Sequence, residues 1–173
     1  CRTKASGEIK NQELRIKKMR GVLESINVSR GRVPKTTIFE ALVTEDGVSG
    51  DHQRDLRFHG GSDRAISLFS YEIIEQLQLD GHPISAGSAG ENLTVSGLDW
   101  AALKPGVEIQ IGTVRLLITG FASPCEKISG SFLDGDMTRL SQKRHAGRSR
   151  LYARVLAGGL IRPGDSVIVL LNS

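Results

Sequence analysis

Two alternating apolar runs face each other across a two-residue turn, and no other feature limits the fold so tightly. Val107, Ile109 and Ile111 alternate with Glu108 and Gln110, and after Gly112-Thr113 the residues Val114, Leu116 and Ile118 alternate again. Period-two alternation marks a strand with one buried face. Gly-Thr suits a two-residue turn with a positive φ at its first position, so the spacing predicts a tight hairpin. Shorter runs of the same kind recur. Val22, Ile26 and Val28 share one face of an expected strand from Arg20 to Ser29, and Thr37 to Thr44 is apolar on both faces and reads as a single buried strand. Ala65 to Phe69, Leu151 to Leu156 and Ser166 to Leu171 complete the set. Helical signals are few. Ser70 is an expected N-cap for a helix through about Leu79, with Ile73, Ile74 and Leu77 inward and Asp80-Gly81 ending it. Residues 136 to 146, with Met137 and Leu140, suggest a second short helix. Seven or eight short strands with one or two short helices predict a mainly β fold, a closed or nearly closed barrel.

Charge excludes one class of partner. The chain carries a net charge of +4, but residues 1 to 18 hold six Lys/Arg and two acids, leaving 17 bases and 17 acids in the remainder. The basic balance belongs to the tail, and a neutral body lacks the cationic face that duplex binding needs. Residues 19 to 173 are expected to form one domain, and residues 1 to 18 a disordered or non-native tail. No apolar run approaches the roughly 18 residues of a membrane span, and no signal-like stretch opens the chain. One internal cysteine fits a reducing compartment, so a cytoplasmic location without membrane or nucleic-acid partners is expected.

The chemistry concentrates at Thr119 to Ile128. The second hairpin strand ends at Gly120, Pro124 turns the backbone, and Cys125 follows at the strand exit. The other cysteine, Cys1, lies in the charged tail, so Cys125 is either core filler or chemistry. As nucleophile or metal ligand it must be a thiolate, which Lys127 and the downstream bases favour and Glu126 opposes. From Arg139 to Arg154 there are six Lys/Arg and no acid: a solvated face, or an anion pocket facing the cysteine. A polar loop from Glu45 to Asp55 leads to His59-Gly60-Gly61, and a glycine-rich run follows at Gly87 to Leu93. Either brings backbone close to a ligand, or is simply a turn. The spacing of Asp51, His52, Asp55 and His59 matches no standard zinc pattern.

The order of these motifs resembles the MOSC domain family, the module named after the C-terminal part of molybdenum cofactor sulfurase, in its small stand-alone bacterial form. The resemblance is carried by Ser25-Ile26-Asn27-Val28-Ser29 and Val33-Pro34-Lys35, by Gly50-Asp51, and by Asp55-Leu56 with His59-Gly60-Gly61 and Asp63-Arg64-Ala65. It continues through Ala89-Gly90-Glu91-Asn92-Leu93-Thr94-Val95, Gly97-Leu98 and Pro124-Cys125-Glu126-Lys127, then Gly147-Arg148, Arg154-Val155-Leu156 and Gly164-Asp165. Arg64 stands where many members have Lys. The resemblance implies a β-barrel of complex topology, similar to the pyruvate kinase barrel domain. It makes Cys125 the catalytic residue, either carrying sulfur as a persulfide or ligating molybdenum of a molybdopterin cofactor in reduction of N-hydroxylated compounds. His59 joins it as a catalytic group. Asp51, Glu91, Asn92, Lys127 and Arg148 become cofactor-binding candidates, with His59, Glu91 and Asn92 at the mouth. Pyridoxal phosphate is expected only through a separate cysteine desulfurase, and that enzyme or a molybdenum cofactor pathway protein is the expected partner. Two other classes stay open: a non-catalytic module binding an anionic small molecule or partner, and a thiol-dependent redox enzyme.

Overall fold

The computed structural model describes residues 19–52 and 61–170. Eleven strands run in chain order: β1 (Arg20–Val28), β2 (Thr36–Ile38), β3 (Ala41–Thr44), β4 (Gly47–Val48), β5 (Ile66–Ser70), β6 (Leu93–Ser96), β7 (Glu108–Ile111), β8 (Val114–Ala122), β9 (Arg150–Ala157), β10 (Gly159–Ile161) and β11 (Ser166–Leu170). One α-helix, α1 (Tyr71–Leu79), follows β5, and four short 3-10 helices cover Ser62–Arg64, Trp100–Ala102, Glu126–Ser131 and Met137–Leu140.

Seven strands close into a barrel in the order β11-β7-β8-β9-β5-β6-β1, and β1 then pairs back onto β11. The expected hairpin forms its backbone. Ile111 lies opposite Val114, and Gly112 takes φ +58° at the turn. Ile109, Ile111, Leu116 and Ile118 are fully buried, as the alternation requires. They meet Leu23, Ile66, Leu68, Leu93, Leu151, Ala153 and Val167 from the other staves in one continuous interior. Every pairing around the wall is antiparallel except β5–β6, which is parallel. Parallel neighbours need a crossover, and α1 supplies it. Ser70 caps that helix, its Oγ accepting from the Ile73 N–H at 3.4 Å, while Ile74 and Leu77 point inward.

Two expectations are corrected. Thr37 to Thr44 is not one buried strand: the chain breaks after Ile38, leaving Phe39 87% exposed. β2 adds to β1, whereas β3 joins β4 and β10 in a separate three-stranded sheet. An apolar run dense on both faces thus reflects two short strands in different sheets. In β1, Val22 does not share a buried face with Ile26. Leu23 pairs with Val95 and Ser25 with Thr94, so Glu24 is an extra residue, a β-bulge that reverses the alternation. Val22 is turned outward and Leu23 inward.

Barrel closure depends on a residue with no side chain. Gly21 pairs with Val167 at the β1–β11 seam, and a Cβ there would overlap the Ser96 carbonyl oxygen. Gly21→Ala is expected to destabilise the fold by about 1–3 kcal/mol or more through overpacking. Gly130→Ala, where a Cβ meets nothing within 4 Å, should stay within about 0.5 kcal/mol. Urea unfolding midpoints of both variants beside the wild type check the pair.

Candidate functional site

The barrel wall has two faces, and the chemistry lies on the outer one. In β5 and β9 the pairs Ile66–Ala153 and Leu68–Leu151 face the interior, which turns the Ser67–Tyr152 pair outward. Arg150 precedes Tyr152 by two residues and so shares that face. It sits opposite Ala122, the last residue of β8. Beyond Ala122 the chain runs through Ser123-Pro124 to Cys125, whose extended backbone (φ −136°, ψ 164°) enters the 3-10 helix Glu126–Ser131. Ile128 is buried and anchors that turn, with its N–H donating to the Cys125 carbonyl at 3.1 Å. The thiol is thereby held half-buried at the rim of the wall.

Cys125 opens on a cavity of about 120 Å³ roofed by the segments around Gly31–Lys35 and Ala89–Gly90. These two loops lean on each other through the Lys35 N–H, which donates to the Gly87 carbonyl at 2.9 Å. Gly87 has φ +82°, and a Cβ there would sit 2.7 Å from the Lys35 carbonyl oxygen, so glycine permits the approach. Arg32, Lys35, Lys127 and Arg150 all line the cavity together with His52, and none of the described lining residues is Asp or Glu.

Arg150 is the unusual member. It is only 7% exposed. Its Nη1 donates to the Ala89 carbonyl at 2.6 Å and its Nη2 to the Ser123 carbonyl at 3.1 Å, while Nε has no acceptor. Burial pushes its pKa down, and the acidic groups of Tyr152, Glu91 and Cys125 oppose that shift. A guanidinium starts so basic that it stays charged. The cation is therefore fixed, desolvated, within electrostatic reach of the thiol, and short of one acceptor.

The expected site residues divide. Cys125 and Lys127 line the cavity. Arg148 does not, and Arg150 contributes the guanidinium there instead. Asp51 braces the lining residues: its Oδ1 accepts from the Ser29 N–H at 2.8 Å, and its Oδ2 accepts from Lys35 Nζ at 2.7 Å and Asn92 Nδ2 at 2.8 Å. Asn92 is buried, its Oδ1 accepting from the Ser67 N–H at 3.1 Å. Glu91 is fully buried, with Oε1 accepting from the Gly87 N–H at 2.7 Å and the Thr94 hydroxyl at 3.0 Å and Oε2 unpartnered. Glu91 and Asn92 thus shape the loops from within rather than stand at the mouth. His59 lies outside the described residues, as do Asp55 and the tail 1–18. Among the described residues, no three His, Cys, Asp or Glu converge as a metal cage.

The sequence profile of the MOSC domain matches residues 55–168. The chain belongs to the MOSC domain family. Within that family it is 28% identical over 132 residues to the "Uncharacterized protein YflK" of Bacillus subtilis, covering 75% of this chain and 58% of that protein. It is 31% identical over 111 residues to "Protein YiiM" of Escherichia coli, covering 60% and 48%. The MOSC chain thus spans about half the length of the relatives it matches. Among solved structures, the YuaD protein of Bacillus subtilis superposes with a TM-score of 0.72 at 20% identity, covering 90% of this chain and 98% of that one. YiiM from Geobacillus stearothermophilus gives 0.66 at 24% identity, covering 87% and 75%. These likenesses establish the barrel fold of the MOSC domain. No helix among the described residues is long and apolar enough to cross a membrane.

The buried Glu91 gives the MOSC fold a pH signature. Burial raises its pKa above 4.5, against the hydrogen bonds from Gly87 and Thr94 and the charge of Arg150. A raised folded value means stability that is complete below 4.5 and is lost as pH climbs through the folded pKa. Glu91→Gln removes that loss. Its melting temperature relative to the wild type should therefore rise from acid toward neutral pH, and parallel curves in thermal melts over that range would refute it.

Proposed function

We propose that this MOSC protein uses the Cys125 thiolate to carry sulfur as a persulfide, in a pocket built for an anionic guest. One observation carries the reading: the only thiol among the described residues shares its cavity with a buried guanidinium whose Nε lacks an acceptor. Sulfur transfer from a donor persulfide needs little more. The Cys125 thiolate attacks the donor's outer sulfur, a new S–S bond forms, the old one breaks, and the donor leaves as a thiolate. No external oxidant or reductant enters. Arg150 and Lys127 offset the negative charge that builds on the sulfurs, and a cysteine desulfurase is the expected donor.

The MOSC family is associated with the molybdenum cofactor, and the same residues suit it as a second reading. A bare ion would find no cage among the described residues, but a metal that brings its own chelating ligand needs only one thiolate, Cys125. Lys127, Arg32 and Arg150 would hold its anionic oxygens. When bound, the cofactor supplies two-electron reduction, with N-hydroxylated compounds as substrates. Size favours the persulfide reading: about 120 Å³ is well below the roughly 300 Å³ at which pockets begin to enclose a drug-sized molecule.

The test uses the purified chain with a cysteine desulfurase and cysteine, followed by mass spectrometry of the peptide holding Cys125. One added sulfur atom, lost in Cys125→Ser, is the expected result. Protein from molybdenum-replete cells is assayed for metal and pterin in parallel, and a thiol that gains neither sulfur nor molybdenum would end both readings.

A further inference from the structure

The cavity around Cys125 holds more positive charge than a sulfur atom alone requires. Arg32, Lys35, Lys127 and Arg150 line it with no carboxylate among the described lining residues, and Lys35 is ion-paired to Asp51 at 2.7 Å. Arg32 and Lys127 are exposed at the entrance, whereas Arg150 is buried with its Nε unpartnered. Three cations without an ion pair among the described residues, beside one thiol, describe a receptor for a doubly charged oxyanion. The cavity of about 120 Å³ suits a tetrahedral oxyanion carrying one extra sulfur, which displaces on the order of two or three waters of about 30 Å³ each.

We propose that the pocket takes a thiosulfonate anion, thiosulfate being the simplest, as a direct sulfur donor, with Arg32, Lys127 and Arg150 holding its sulfonate oxygens. The inference rests on the sulfur-carrier reading and names a donor that needs no second protein. The Cys125 thiolate attacks the outer, sulfane sulfur. The bond from Cys125 Sγ to that sulfur forms, the bond between the two donor sulfurs breaks, and its electron pair departs with sulfite. Total charge is unchanged, since a thiolate and a dianion give a persulfide anion and a dianion. The same three cations that bind the donor also stabilise sulfite as it leaves.

The experiment incubates the reduced full chain with thiosulfate, weighs the peptide carrying Cys125, then adds cyanide and measures thiocyanate. Expected are one added sulfur at Cys125, its discharge as thiocyanate, competition by inorganic sulfate, and no loading in Cys125→Ser. Lys127→Met and Arg32→Met, both exposed and so compatible with folding, should each raise the thiosulfate concentration for half-loading on the order of tenfold. Unchanged loading curves in both variants would overturn the oxyanion receptor. Loading by a desulfurase but not by thiosulfate would overturn this inference and leave the carrier reading intact, whereas loading by neither removes both.

Discussion

The whole molecule depends on β1 serving two partners along one edge. Its first residues, Arg20 to Val22, pair with β11 and close the barrel, while Ile26 to Val28 on the same edge pair with β2. The opposite edge is occupied by β6 from Val22 to Ile26. Nine residues thus satisfy three neighbours, and the bulge at Glu24 lets them do so. It adds a residue and a local twist, so that Leu23 fills the interior while Ser25 and Asn27 remain buried. Full closure abolishes the unpaired edges that a seven-stranded open sheet would expose. It also fixes which face of each stave looks outward, and the site inherits its geometry from that choice.

On the outer face, burial continues beyond the barrel in polar form. Asn27 donates through Nδ2 to the Thr94 hydroxyl at 3.1 Å, Thr94 donates to Glu91, and Glu91 holds the Gly87 N–H. Asn92 ties Ser67 of the wall to Asp51, and Asp51 holds Lys35. These links connect β1, β5 and β6 to the two loops that roof the cavity. An unmade bond in such a layer costs about 1–3 kcal/mol, so the loops are held by the sum rather than by any single contact. The supports of the pocket are buried and directional.

How much of this could be read from residues alone follows from what each pattern encodes. The hairpin about Gly112-Thr113, the capped helix after Ser70 and the strands around Ile66 and Leu151 were legible because alternation and capping are local. The division of Thr37 to Thr44 was not, since two short strands in different sheets leave the same apolar run as one buried strand. The end of the alternation at Gly120, followed by Pro124, placed Cys125 at a strand exit, where the backbone beyond Ala122 does put it. Only the family resemblance made Glu91 and Asn92 cofactor-binding candidates at the mouth, and tertiary packing buries both. Arg148 and Arg150 are indistinguishable by charge. What separates them is position: both share the parity of Tyr152 and Arg154, but Arg150 opens β9 whereas Arg148 precedes the strand. Using that difference required knowing that the outer face of β9 is covered at its first residue.

The buried Arg150 then poses an energetic question that the fold alone does not answer. Removing a guanidinium from water costs several kcal/mol even after relaxation. Its two bonds to the Ala89 and Ser123 carbonyls return about 1.5–3 kcal/mol each, the range for charged donors. That sum is of the same order as the cost and leaves Nε–H with nothing. Glu91, a buried carboxyl whose charge acts on Arg150, is itself pushed toward its neutral form by the same burial. A hydrophobic residue at position 150 would fill the space without this penalty. An arginine held there, with Cys125 and an anion-sized cavity on the same wall, makes sense when its remaining charge is satisfied by what enters the pocket. On the proposed reading, ligand binding and local stability become one quantity, because an anion seated beside Cys125 meets the charge that burial strips of water.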